Sequence, residues 1–342
     1  VGTDCVNYEE AFQQAPGLFV VNEDTLKRFF TSCGMEKGFC ILIILFKSFI
    51  NNYWAFSFIN AVIDYLIFFL CLRDYLPNYK GISLLIFYIF IADANLGINM
   101  IRNIKSVMLF LYSLRFIKEK KFLKYLFVNI FGFLFHISSI FYLPLYFFIN
   151  KSYSKKILLT VYCIGLVVFF FNLKWIEFVL SPFSNSNFGR ISHLVLVYSD
   201  KNNVLSSSGR ITIGFLERFI SFILILKYKS RMEKSFKYGI IFFNIAFIYF
   251  ILFFFFNEMY IFIQRLPPLF LISYCFIFPM IYSFFTKEQK SLFYTSLLLY
   301  GMLRIYKGNF SEHFIYNNIF NPIKPDRFNR IREIVSTEAK VL

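Results

Sequence analysis

Five basic side chains and one histidine stand where so apolar a chain tolerates them least. Arg102 and Lys105, His136, Arg210, Arg218 and Arg265 all lie inside or at the ends of long runs of Phe, Ile, Leu and Tyr. An ionised group in such a run is costly and is usually kept for a task. Arg102 and Lys105 are three residues apart, which puts them on one helical face. Arg210 opens a later run that holds Glu217 and Arg218 deeper in, and Arg265 opens another. Basic groups from runs far apart in sequence therefore converge on one membrane leaflet, as a phosphate-bearing lipid headgroup would require. Guanidinium forks pair bidentately with phosphate, and a low dielectric strengthens each contact. Simpler roles compete with this one. A lone Arg near a run's end can snorkel to the interface, and His136 alone can serve as a helix-end hydrogen-bonding residue. Asp64, Glu217 and Arg218 can be buried partners. Asp4 and Glu9 can be ordinary solvated loop acids.

Other chemistries lack their residues. There is no P-loop, no G-x-G-x-x-G, no H-E-x-x-H and no G-x-S-x-G. No D-x-D offers carboxylates to a nucleotide-bound metal, and His193 and His313 stand alone. Six cysteines show no metal-ligand spacing. Cys71, Cys163 and Cys275 fall in apolar runs as packing residues, whereas Cys5 and Cys33 flank a polar segment and could pair in an oxidising compartment. Asn309-Phe310-Ser311 matches a glycosylation sequon incidentally. No metal and no cofactor is expected. The net charge of +16 does not imply nucleic acid, because Lys and Arg sit in short turns between runs rather than on one face.

The elements that carry these residues follow from composition. Hydrophobic residues make up 58% of the chain, with 52 Phe in 342 positions, a composition that would leave a water-facing surface adhesive throughout. In a bilayer it is ordinary, since each span needs roughly 20 apolar residues. The runs are continuous rather than alternating, which argues against a β-barrel. The expected fold is all-α: a polytopic integral membrane protein of about ten transmembrane helices plus one short re-entrant or interfacial helix over 39–50. Spans are expected at 53–72, 81–95, 98–117, 122–135, 138–150, 156–172, 211–226, 238–256, 264–285 and 291–306, with a kink near Pro144 as an alternative reading of His136 to Pro144. The expected organisation is a polar extracytoplasmic segment 1–35, a helical domain 36–306 with an external loop 173–209, and a polar basic tail 307–342. The chain opens at Val1 without an initiator Met, and further residues are expected before it.

Sidedness comes from the turns. Basic clusters at 115–124, 151–156, 227–237 and 287–290 fall on one side, which is then the cytoplasm. Residues 1–35, the turn near 96, His136, the loop 173–209 and Asn257 to Ile263 fall on the other. By parity Lys324, Arg327, Arg330 and Arg332 of the tail are external, so either one span is miscounted or the tail breaks the rule.

At these residues the chain resembles the EpsG-like family of bacterial polysaccharide polymerases, related in role to Wzy O-antigen polymerases. Gly2-Thr3-Asp4 with Tyr8 is similar to the family's G-T-D-x-x-x-Y. Glu36-Lys37-Gly38-Phe39 is similar to its acidic-x-Gly-aromatic stretch opening a short helix. Ile101-Arg102-Asn103 resembles Ile/Met-Arg-Gln, Phe135-His136-Ile137-Ser138 resembles F-H-x-S, and Ile213-Gly214-Phe215-Leu216 with Arg218 resembles a weaker Gly-x-Leu-x-Arg. Arg265 corresponds to a later lone Arg. The likeness covers most of residues 1–285, with Cys5 and Asn103 as departures. It implies a glycosyltransferase of the bacterial cytoplasmic membrane that joins undecaprenyl-diphosphate-linked repeat units on its outer face. A chain-length regulator is the partner such enzymes usually have. Arg102, with Arg210 or Arg265, would bind the diphosphate, and Arg218 and Lys105 would extend the basic surface. His136, or failing it Asp4, would take the acceptor's proton. Tyr8, Trp175 and Phe183 would be stacking platforms for sugars. A flippase for a lipid-linked oligosaccharide and a ligase-like transferase are the alternatives.

Overall fold

The computed structural model describes residues 4–91, 100–180, 211–258 and 260–309. The turn near 96, the loop beyond residue 180 with Phe183, His193 and Arg210, and the tail with His313 lie outside the described residues, as do the side chains of Asp4 and Cys5. Every regular element among the described residues is helical. In chain order these are α1 (Asp4–Gln14), α2 (Glu23–Cys33), α3 (Lys37–Phe49), α4 (Tyr53–Tyr75), α5 (Lys80–Phe90), α6 (Ile101–Lys118), α7 (Phe122–Phe133) and a 3₁₀ helix over Ile137–Phe147. Then come α8 (Lys155–Phe170), α9 (Trp175–Leu180), α10 (Ile213–Ser235), α11 (Gly239–Phe255), α12 (Tyr260–Arg265), α13 (Pro268–Leu271), α14 (Tyr274–Tyr282) and α15 (Lys287–Asn309). Two compact units result, one of residues 1–146 with 284–342, the other of residues 147–283.

Among the described residues α4 alone is both long and apolar enough to cross a bilayer unaided. Its 23 residues span ~34 Å against about 30 Å of hydrocarbon. A second crossing exists if α2 and α3, which meet at 118°, count as one broken span. The other apolar helices are shorter. The run expected over 264–285 breaks at Pro267 and Pro268, because proline removes a backbone donor and clashes with the preceding turn. The run expected over 138–150 winds as a 3₁₀ helix containing Pro144.

Polar contacts set the direction of the central helices. Lys105 on α6 meets Asp64 on α4 at 3.1 Å, the Tyr75 hydroxyl donates to the Leu111 carbonyl at 2.9 Å, and Arg115 meets Asp74 at 3.3 Å. Residue numbers rise together along that seam, so α4 and α6 run parallel, and α5 lies between them in sequence. The next helix runs the other way: Asn129 on α7 donates to the Ser113 hydroxyl of α6 at 3.0 Å, and to the Tyr125 carbonyl. The 3₁₀ helix is tied back by Ser139, which donates to the Asn129 carbonyl, and by a 4.0 Å stack of Tyr142 on Phe110.

Beneath them α1 and α2 pack into one apolar core with α3 and α4. Tyr8, Phe12 and Phe29 are buried there with Phe39, Ile43 and Phe56, so this core spans both sides of residue 35. Within the second unit, the Tyr162 ring stacks on Phe222 at 3.5 Å and Phe169 on Phe215 at 5.2 Å, an antiparallel α8–α10 pair. Asn244 of α11 donates to the Ile149 and Lys151 carbonyls.

Large apolar side chains face outward along the same helices. Phe58, Leu123 and Phe127 are 70%, 76% and 72% exposed. Water would penalise such a surface by about 25 cal/mol per Å², whereas lipid does not. The chain is a helical membrane protein.

The Lys105–Asp64 pair gives a test. Asp64→Ala leaves an ammonium buried without its carboxylate, at a penalty of about 3–5 kcal/mol. Thermal melts in detergent should show a large loss for Asp64→Ala and recovery in the Asp64→Ala/Lys105→Met double variant.

Candidate functional site

Arg102 sits in the first turn of α6, whose preceding residue Met100 provides no side-chain cap. The amino end of a helix carries partial positive charge, so a cation there is destabilised unless a counter-charge is supplied. Glu36 supplies it. Arg102 Nη1 donates to Glu36 Oε2 at 2.5 Å, and Nε donates to the Tyr8 hydroxyl at 3.4 Å. The guanidinium carbon stands 5.5 Å from the centre of the Tyr8 ring, within cation–π range. The second oxygen of Glu36 accepts the Ile137 N–H at 3.1 Å. One carboxylate thus joins α6 to the turn that carries His136.

The short stretch around Glu36 explains itself residue by residue. Glu36 occupies the N-cap position of α3 but does not cap it, leaving both oxygens for partners elsewhere. Gly38 lies against the end of α7: a Cβ there would stand 2.6 Å from the Leu134 carbonyl oxygen. Phe39 packs edge-on against Tyr8 at 5.6 Å and against Phe56 at 6.2 Å.

Beside Arg102 lies a cavity of about 220 Å³, lined by Asn7, Tyr8, Glu10, Gln14, Cys33 and Arg102 among others. That is smaller than the ~300–1,000 Å³ of a drug-sized pocket and suits a single ring or a phosphate group. Asn7, Glu10 and Gln14 recur at helical spacing, so α1 turns its polar face to this space. With Nε and Nη1 engaged, Arg102 keeps Nη2 without a partner among the described residues. The guanidinium is held in place yet has donors in hand.

His136 follows α7, its N–H bonded to the Gly132 carbonyl. Its Nδ1 lies 3.1 Å from the Ser138 N–H and 2.7 Å from the Ser138 hydroxyl. A backbone N–H can only donate, so Nδ1 accepts and the neutral ring carries its proton on Nε2. In this tautomer the other nitrogen is a donor.

The remaining expected residues are distributed as follows. Lys105 pairs with Asp64 and is 7% exposed. The Tyr8 ring is 2% exposed, its faces taken by Phe39 and Arg102 rather than open for stacking. Arg218 and Arg265 belong to the second unit. Arg218 donates to the Gly214 carbonyl at 2.6 Å and lies 3.9 Å from the Phe253 ring, while Arg265, at the end of α12, is exposed. Trp175 donates to the Phe255 carbonyl at 2.7 Å. Asp4 stands at the start of α1. Glu36 is the site residue that sequence reasoning left without a role. Its signal was an acidic residue directly ahead of an apolar helix, a position that normally asks for a capping side chain. Among the described residues no group of three or more His, Cys, Asp or Glu could hold a metal ion.

A model of the EpsG family matches residues 1–321. No curated protein and no solved structure matches the chain.

Gly38 offers a structural test of the site. A branched side chain there forces α3 off the Leu134 backbone, and overpacking of this kind costs about 1–3 kcal/mol. Gly38→Val should lower the melting midpoint clearly, whereas Gly81→Val should not, because a Cβ at Gly81 meets nothing within 4 Å.

Proposed function

The chain belongs to the EpsG family, and from that premise we propose that it is a polysaccharide polymerase. It joins oligosaccharide repeat units carried on undecaprenyl diphosphate at the outer face of the bacterial cytoplasmic membrane. The observation that carries this reading is the half-engaged guanidinium of Arg102. Glu36 and Tyr8 hold it in the wall of a polar cavity, and its Nη2 remains for an anion.

The reaction needs little else. A hydroxyl oxygen of the acceptor unit attacks the anomeric carbon of the donor glycan. The bond from that carbon to the diphosphate breaks, undecaprenyl diphosphate leaves, and the hydroxyl proton passes to a base. Negative charge grows on the diphosphate as the bond breaks. Arg102 and the amino end of α6 meet that charge together. A preorganised donor of this kind is commonly worth roughly 3–4 kcal/mol in the transition state. Because the donor brings its own leaving group, the step calls on no nucleotide.

The tautomer of His136 bears on the division of labour. With Nδ1 accepting from Ser138, Nε2–H supports a phosphate-binding role, and Asp4 is then the base. Asn7, Glu10 and Gln14 on α1 are suited to sugar hydroxyls. Arg218 and Arg265, in the second unit, and Arg210 are retained as lipid or phosphate contacts in their own right. The parallel course of α4 and α6 supports a return of the chain through the segment that holds α5, and we extend the same alternation to a multi-pass chain of about ten crossings with its basic turns in the cytoplasm.

Deleting the gene in the producing strain should remove the high-mass glycan ladder while single repeat units still reach the surface. Wild type should restore the ladder. Arg102→Ala at equal protein level should not, with a loss of roughly 10²–10³-fold. Arg102→Lys should restore it partly, since it keeps the charge without the fork. Asp4→Asn should fail, and His136→Gln, which keeps a donor, should retain more ladder than His136→Ala. Single units trapped inside the cell would replace this reading with a flippase, and an unchanged ladder would sink it.

A further inference from the structure

Two cysteine sulfurs meet at the wall of the same cavity. Cys33 Sγ and Cys40 Sγ are 3.2 Å apart, with the Cys40 thiol donating. In a continuous helix, residues seven apart are separated by ~10.5 Å along the axis. The contact exists because the chain turns sharply between α2 and α3, through Gly34 at φ 61° and an angle of 118°. Cys40, on α3, is buried in the core, whereas Cys33 is half-buried and lines the cavity beside Arg102. One thiol is thus open to a small reagent and the other waits behind it.

We propose that Cys33 and Cys40 form a reversible disulfide that locks the α2–α3 bend and with it one wall of the Arg102 cavity. The sulfurs need to close only from 3.2 Å to the ~2.05 Å of a bond. The oxidant is a small-molecule disulfide. The Cys33 thiolate attacks one of its sulfurs and expels a thiol. Cys40 then loses its proton to solvent, attacks the Cys33 sulfur and expels the second thiol. The protein gives up two electrons and two protons, and the reagent becomes two thiols. Oxidation is favoured on the outer side of the membrane, and there it fixes the bend that Glu36 and Gly38 follow directly. The sequence pairing of Cys33 with Cys5 competes for the same sulfur, so only one of the two can form.

The chain itself supplies the assay, since trypsin cuts at Arg28, Lys37 and Lys47 and so separates the two cysteines. Native membranes holding the full chain are treated with N-ethylmaleimide before any reductant, digested and analysed by mass spectrometry. Residues 29–37 and 38–47 should appear joined, part at dithiothreitol, and increase after incubation with oxidised glutathione. Cys33→Ser should abolish the joined pair. Dithiothreitol should also lower the thermal midpoint of wild type and leave that of Cys33→Ser unmoved. Full alkylation of both cysteines before and after oxidised glutathione overturns the proposal, as does Cys33 joined to Cys5, or an equal thermal shift in both proteins. None of these readouts uses the glycan ladder, so their failure and failure of the polymerase reading are separable.

Discussion

A guanidinium half-sunk in protein at the positive end of a helix stays there only if a carboxylate comes to it, and in this chain the carboxylate travels far in sequence. Glu36 precedes α3, Arg102 begins α6, and Ile137 begins the 3₁₀ helix, yet one side chain bonds the last two. Much of the first unit can be understood as what that meeting demands. Gly38 must lack a side chain so that α3 can approach Leu134, and Phe39 must fill the space under Tyr8. Lys105 and Asp64 then fix α6 against α4 one turn deeper. A pair so placed does more for orientation than for stability, because desolvation offsets much of its attraction.

The packing that supports this arrangement is rich in aromatic rings. Phe12 and Phe46 meet the Phe56 ring at 5.3 and 5.4 Å, and Tyr142 and Phe110 stack nearly parallel at 6°. In lipid the hydrophobic effect does little to draw helices together, so dispersion and ring geometry carry more of the association. Hydrogen bonds inside the seams, such as Asn129 to Ser113 and Tyr125 to the Tyr142 carbonyl at 2.5 Å, add direction that rings alone lack.

How much of this was legible depended on whether the signal was local. The all-helical class was plain in the continuous apolar runs, and the ordered Arg102 and His136 stood out as charges out of place. The family was legible in short motifs whose order mattered more than any one of them. Helix lengths were not, because Pro267, Pro268 and Pro144 act on backbone geometry that a count of apolar residues passes over. Glu36 was visible as a motif letter, but its partners lie 66 and 101 residues away, beyond any periodicity. Lys105 looked like a ligand group because its counter-ion, Asp64, sits on another helix. Cys5 and Cys33 flank a polar segment in the sequence, but nothing local announces the bend that brings Cys33 to Cys40, which depends on one left-handed glycine.

The 3₁₀ helix after His136 has a consequence of its own for how the chain meets lipid. Its 11 residues rise ~2.0 Å each and so reach about 22 Å, against ~16 Å for the same residues wound as an α-helix. Three residues per turn also align side chains in three straight columns instead of a spiralling stripe. Ser139 and Tyr142 form a column that is buried, while Ile137 and Ile140 head another that is exposed. Such a rod has edges: one is buried and one opens exposed, while the third passes from buried Ser138 to exposed Phe141 and Phe147. Inserting a single residue ahead of Phe141 would turn every later column by a third of a circle, carrying Tyr142 out of its buried column and Phe141 into it.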